Sequence, residues 1–261
     1  MSQQVLTVSR DGPVARVVLS RPEVHNAFDE RLIAQLHDAF TGLGRDEGVR
    51  VVVLAGEGPS FCAGADLEWM RRAASWGEEE NRRDAAALAA MLRAVAECPR
   101  PVVARVHGNA YGGGVGLVAA ADLAVAADNA QFAFTEVRLG LAPATIAPHV
   151  VEKIGPGWAL RLFLTGERID AQQALRIGLV YRVVPPEELD AAVQEVVRML
   201  LSGGPQAQAA CKELVRRVAG DRGPDVDDYT ARLIAALRTG PEGQEGIRSF
   251  LEKRRPGWVE G

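Results

Sequence analysis

The chain has 261 residues, 48% of them hydrophobic, 25% charged and 5% aromatic, the balance of a globular protein long enough to bury a substantial core. Thirty Lys and Arg against 34 Asp and Glu leave a formal charge of −4, so the chain lacks the broad basic face of a non-specific nucleic-acid binder. Cys62, Cys98 and Cys211 have neither metal-ligand spacing nor the number for a disulfide framework, the N-terminus lacks a signal peptide's basic and apolar parts, and no apolar run is long enough to span a membrane; a cytoplasmic protein is expected.

Val5–Val8 and Ala15–Leu19 read as strands of a hairpin around Asp11-Gly12-Pro13. Over Asp29–Leu43 the apolar positions Leu32, Ile33, Leu36, Ala39, Phe40 and Leu43 recur at the spacing of one helix face, with Asp29 as the cap. Val51–Ala55 is a continuous apolar run, as in a strand covered on both faces. A polar, Gly-containing loop follows, then a helix near Ala85–Ala96 and a second buried strand, Val102–Val106. A glycine-rich turn leads into a small-residue helix, Val115–Ala121, and strands Leu123–Ala126 and Phe132–Phe134. Beyond about Pro148 the character turns helical, with helices expected over Asp170–Ile177, Glu187–Leu201, Pro205–Val218, Val226–Leu237 and Glu242–Glu252. The expected organisation is an α/β core over residues 1–200 and a helical region over 201–261.

Two glycine-rich turns carry the candidate chemistry, Phe61-Cys-Ala-Gly-Ala-Asp66 and Gly108-Asn-Ala-Tyr-Gly-Gly-Gly-Val-Gly116. The second runs into a helix, whose unpaired N–H groups and positive end suit a developing negative charge; two such donors on one oxygen make an oxyanion hole. The same glycines equally serve tight turns and close packing. Gly114-Val-Gly-Leu-Val-Ala119 also fits a dinucleotide pattern, but it lies too far after its strand, and Asp128 comes too early for a ribose contact. Glu136, in Phe134-Thr-Glu-Val-Arg-Leu-Gly-Leu-Ala-Pro143, would have a raised pKa if buried, which suits acid–base work; a surface ion pair with Arg138 is the plain alternative. His25, His37, His107 and His149 show no metal or triad spacing.

In order, Arg21-Pro-Glu-Val-His-Asn-Ala27, Ser60-Phe-Cys-Ala-Gly-Ala-Asp-Leu67, Pro101–Asp122, Phe134–Pro143, Leu164-Thr-Gly-Glu-Arg-Ile-Asp-Ala171, Ala174-Leu-Arg-Ile-Gly-Leu-Val180 and Phe250-Leu-Glu-Lys-Arg254 resemble the crotonase (enoyl-CoA hydratase/isomerase) superfamily over nearly the whole chain. The resemblance implies an α/β spiral of strand–strand–helix units with a helical C-terminal trimerisation region, assembled as a trimer or hexamer. It implies an acyl-CoA thioester substrate with no metal or redox cofactor, and no nucleic-acid or membrane partner. Ala65 and Gly113 would donate the N–H groups that hold the thioester carbonyl, and Glu136 would move protons. Val24, His25, Ala27, Ala63, Asp66, Leu67, Gly112, Gly116, Arg138 and Lys253 would line the CoA and acyl path or meet CoA phosphates.

One departure matters: where two-glutamate hydratases carry a first glutamate, this chain has Gly116, while the second is kept as Glu136. One carboxylate also suffices in enoyl-CoA isomerases. Asp66-Leu-Glu-Trp-Met-Arg-Arg72, Gly112–Asp122 and Glu136–Ala144 look like bacterial methylglutaconyl-CoA hydratases of leucine breakdown, which implies hydration of 3-methylglutaconyl-CoA; a general enoyl-CoA hydratase or isomerase is the alternative. On the first reading Gly116 makes room for a branched, carboxylated acyl group and removes a repelling charge, with Arg71, Arg72 or Arg138 as its cationic partner. RNA binding, seen in some relatives through a lysine-rich helix, has no counterpart in Asp29–Leu43, which contains Arg31 and no lysine.

Overall fold

In this computed structural model, which describes residues 4–219 and 223–259, the first turn is made where Gly12 takes a φ of +54°, a left-handed value that a Cβ disfavours. β1 (Leu6–Asp11) and β2 (Val14–Leu19) pair antiparallel across it. α1 (Glu30–Arg45) follows, and Leu32, Ile33, Leu36 and Phe40 form its buried stripe. Residues 1–3, on which the reading of no signal peptide partly rests, lie outside the described residues.

Three strand–strand–helix units come next. β3 (Val51–Gly56) and β4 (Ser60–Cys62) lead to α2 (Leu67–Ala73) and α3 (Glu78–Ala96). β5 (Val102–Val106) and β6 (Asn109–Tyr111) lead to α4 (Gly113–Ala120). β7 (Leu123–Ala127) and β8 (Gln131–Ala133) lead through a 3-10 turn, Glu136–Leu139, to α5 (Ala147–Thr165). The chain closes with β9 (Arg168–Asp170), α6 (Ala171–Arg176), β10 (Arg182–Val184), α7 (Leu189–Ser202), α8 (Pro205–Val218), α9 (Pro224–Thr239) and α10 (Pro241–Leu251).

The first strand of each unit joins a six-stranded sheet, β1–β2–β3–β5–β7–β10, and the second joins a four-stranded sheet, β4–β6–β8–β9. This α/β arrangement, with helices following the strand pairs, is the expected fold class. β3, β5 and β7 pair parallel, and both faces are covered. Val51, Val53, Val103, Val125 and Ala127 pack with Leu189, Val193 and Val196 of α7. Val52, Leu54, Val102, Ala104, Ala124 and Ala126 belong to the main core with α1, α3 and α4. Two-sided burial is why β3 and β7 read as unbroken apolar runs, and β5 is broken only by Arg105, which pairs with Asp190.

The differences from the sequence reading have local causes. β4 and β6 are three residues each, too short for a periodic signal, and fall where a loop and a turn were expected. α3 starts at Glu78 rather than near Ala85, because its first turns are charged and carry no apolar pattern. α5 bends where Gly155 takes a φ of +75° ahead of Pro156. α8 is tied to the core by Lys212, whose Nζ donates to Asp122 at 2.5 Å, while Asp122 also accepts the Val102 N–H at 2.7 Å.

Candidate active site

A buried guanidinium organises the entrance. Arg21 is 7% exposed, and its Nη2 lies 3.3 Å from Asp29 and 2.8 Å from Asp66. Both carboxylates are helix caps: Asp29 accepts from Leu32 N–H at 2.8 Å at the start of α1, and Asp66 from Glu68 and Trp69 N–H at the start of α2. Burial pushes the Asp66 carboxyl up, but those two N–H groups and the Arg21 guanidinium outweigh it and hold it below the usual carboxylate range. Asp66, expected to bind CoA, therefore has its carboxylate committed to α2 and Arg21; it lines the entrance without a free oxygen to offer. The Arg21 guanidinium also donates to the Ala27 carbonyl.

Beside this ion pair, residues 25–28 run along residues 63–66. Ala63 N–H donates to His25 O, Phe28 N–H to Gly64 O and Asp66 N–H to Phe28 O. The register leaves the Ala65 N–H without an acceptor among the described residues. Gly113 opens α4, so its N–H is one of the donors a helix cannot satisfy internally, and no described residue accepts it. The two turns touch: a Cβ on Gly64 would lie 2.8 Å from Tyr111 O and 3.6 Å from Gly113 N, and one on Gly114 would lie 2.2 Å from Cys62 O. Glycine is required at both for this approach.

Glu136 stands against the second turn. A Cβ on Gly112, which has a φ of +49°, would come 3.1 Å from Glu136 Oε1. Oε2 is buried with no hydrogen-bond partner. Burial raises the Glu136 pKa, offset only in part by its own backbone N–H. A desolvated carboxylate beside two free N–H donors can exchange protons with a group whose oxygen those donors hold.

Two cavities meet at Ala63, Ala65 and Leu67. The outer one, about 850 Å³, is lined by Arg21, Val24, His25, Ala27, Asp66, Arg71 and Arg72 among others. The inner one, about 440 Å³, holds Glu136, Gly112, Gly113, Phe28, Trp69, Leu88, Leu141 and Ile146, and also Asp84. Most of the expected site residues are thus brought together. Arg138 and Lys253 are exposed and line neither cavity; Arg138 lies on the side of the 3-10 turn that meets Gly166. Arg71 pairs with Glu68 and Arg72 with Glu30, so none of the three faces the inner cavity as a partner for an acyl carboxylate.

Gly116 is corrected as well. It is buried within α4 and lines neither cavity, because Ile146 occupies the space in front of it: a Cβ there would lie 2.5 Å from Ile146 Cγ2 and 3.6 Å from Leu92 Cδ2. The missing glutamate leaves packed core rather than room for substrate. Gly116→Ala is expected to cost about 1–3 kcal/mol by overpacking. Denaturant unfolding of Gly116→Ala, Ile146→Ala and the double variant should show favourable coupling between them.

Trp69 and Asp84 escaped the sequence reading. Asp84 sits in a charged run, yet it precedes Leu88 and Leu92 by four and eight residues, and this helical spacing signals that it shares their inward face. Among the described residues no group of three or more His, Cys, Asp or Glu is placed to hold a metal ion, and no helix is long and apolar enough to cross a membrane.

The profile of the enoyl-CoA hydratase/isomerase family matches residues 9–261. A carnitinyl-CoA dehydratase of Salmonella arizonae is 34% identical over 261 residues, covering 97% of each chain. A crotonyl-CoA hydratase of Syntrophomonas wolfei is 32% identical over 266 residues, covering 99% of each. The crystal structure of an enoyl-CoA hydratase from Shewanella pealeana superposes with a TM-score of 0.95 at 39% identity, covering 98% of this chain and 97% of that one. With the alternating strand pairs, the touching glycine turns and Glu136 against the second of them, these matches place the chain in the enoyl-CoA hydratase/isomerase family.

Proposed function

We propose that the chain reversibly hydrates an uncharged α,β-unsaturated acyl-CoA. The observation that carries this reading is the unpartnered, buried Glu136 oxygen facing a cavity that also presents the free N–H groups of Ala65 and Gly113. The thioester oxygen accepts those two N–H groups. Glu136 takes a proton from water as its oxygen adds to C3, the thioester becomes an enolate held by the two donors, and Glu136 returns the proton to C2. The sum is addition of one water, with the carboxylate regenerated. The outer cavity suits the CoA moiety, with backbone groups of residues 24–27 along one wall.

The narrower expectation, 3-methylglutaconyl-CoA, asks for a cation opposite the distal carboxylate. Among the described residues no Lys, Arg or His lines the inner cavity, so this chain's own residues favour the general enoyl-CoA hydratase. Assembly into a trimer or hexamer belongs to the same reading; it is supported by apolar side chains left on the surface of the last two helices, Ile234, Ile247, Phe250 and Leu251.

Loss of the conjugated thioester absorbance tests the reaction. Crotonyl-CoA is expected to be hydrated with a kcat/KM at least about tenfold above that for 3-methylglutaconyl-CoA, the scale of one uncompensated charge in a partly dry site. The opposite preference overturns the neutral-substrate assignment. Migration of a 3-enoyl double bond without hydration of crotonyl-CoA identifies an isomerase instead.

A further inference from the structure

The inner cavity holds a second carboxylate that the proposed chemistry leaves unused. Asp84 lies on α3, on the inward face with Leu88, and its Oδ1 accepts the Trp69 Nε1–H at 3.2 Å. Trp69 is itself 7% exposed, so the hydrogen bond fixes the carboxylate from the α2 side. No other hydrogen bond and no ion pair engages it among the described residues. Burial pushes the Asp84 carboxyl up, the Trp69 bond works against that, and Glu30 adds to it.

A charge this close to an acyl chain needs a purpose or a cost. It is not a helix cap, and it neutralises no base, since among the described residues no Lys, Arg or His lines this cavity. Trp69 and Leu88 beside it, with Phe28, Leu141 and Ile146, make much of the remaining wall apolar; its other polar side chains are Thr135, Thr145 and Glu136, the carboxylate already assigned to proton transfer. An acyl group with a terminal carboxylate would be buried against a like charge in a medium of reduced dielectric, with no counter-ion. A neutral chain avoids that repulsion, and a cationic one gains from Asp84 and from the aromatic wall.

We propose that Asp84 is a specificity residue that selects acyl groups by charge, rejecting those that end in a carboxylate and accepting neutral or cationic ones. The inference rests on the assignment of the inner cavity as the acyl site and is independent of which reaction follows. It also accounts for a tryptophan anchored to an acid that lies outside the glycine turns.

Binding of unreactive, saturated thioesters tests it without turnover. Butyryl-CoA and glutaryl-CoA are titrated calorimetrically into the full-length wild-type protein, Asp84→Asn and Glu136→Gln at about pH 8. In the wild type glutaryl-CoA is expected to bind at least about tenfold more weakly than butyryl-CoA. Asp84→Asn keeps an acceptor for Trp69 Nε1–H and should narrow the gap to within about threefold, mainly by tightening glutaryl-CoA. Glu136→Gln removes the cavity's other carboxylate and should narrow the gap by clearly less than Asp84→Asn does. An unchanged gap in Asp84→Asn, no gap in the wild type, or a gap closed only by Glu136→Gln overturns the proposal. Charge selection in a protein that fails to hydrate crotonyl-CoA would sustain it while removing the hydratase reading.

Discussion

Glu136→Gln is expected to lower kcat by about 10²–10⁴-fold, the range for removing a positioned proton-transfer group, while butyryl-CoA binding stays within about twofold. Glutamine keeps the shape and the Gly112 contact but can neither take nor return a proton. Single-turnover hydration of crotonyl-CoA measures the loss, and a rate near wild type removes Glu136 from the chemistry.

The same variant should be more stable than the wild type at neutral pH. Burial raises the Glu136 pKa in the folded state above its usual carboxylate value. The folded chain then holds that proton more tightly than the unfolded chain, so stability is full below the unfolded pKa and falls as pH rises through the folded one. Above that window the wild type carries an ionised carboxylate with one oxygen buried and unpartnered, a cost that glutamine does not share. Thermal unfolding is expected to show Glu136→Gln higher by on the order of 2 °C near pH 8, the difference vanishing as the pH drops below the usual carboxylate range. A difference that grows on acidification contradicts the assigned direction.

Gly114→Ala is expected to cost about 10²–10³-fold in kcat, the effect of losing an oxyanion donor, although residue 114 donates nothing in the proposed reaction. Its Cβ would overlap Cys62 O at 2.2 Å, with Cys62 C and Cβ each at 3.0 Å. Cys62 is fully buried in β4, so the overlap has no flexible side chain to yield, and relief must come from separating the two glycine turns. Gly113→Ala provides the contrast. Its Cβ would meet the Phe28 ring at 2.7 Å, and Phe28→Leu in that background should restore part of the activity. Parallel thermal unfolding separates a displaced oxyanion site from a chain that no longer folds; full activity in Gly114→Ala would mean that the turns do not position the donors.

Much of this was legible in the linear chain. The runs Val51–Ala55 and Val102–Val106, apolar but for Arg105, announced strands covered on both faces, and they lie between α7 and the main core. The stripe from Leu32 to Phe40 and its Asp29 cap appear as read. Pro205–Val218 is observed with the same bounds, because proline at the first helical position is a strong start signal. The glycine turns and Glu136 were candidates on residue type alone, and the ordered set of motifs carried the resemblance to the family.

What escaped depended on contacts between distant segments. β4 and β6 exist because they pair with each other and β6 with β8, and three residues hold no period of their own. A carboxylate such as Asp66 looks available in sequence, but the bond to Arg21, 45 residues away, commits it. Gly116 looked like space for substrate until Ile146, from the start of α5, was found packed in front of it. Asp84 falls at the end of the stretch read as a polar loop, and only α2 brings the Trp69 indole to it. Composition, periodicity and turn chemistry are local, so the sequence by itself determined the longer strands, most helices, the glycine turns and the single retained glutamate. Which N–H groups stay free, which carboxylates face the cavity and which glycine is filled are set by partners tens of residues apart, and only the tertiary structure decided them.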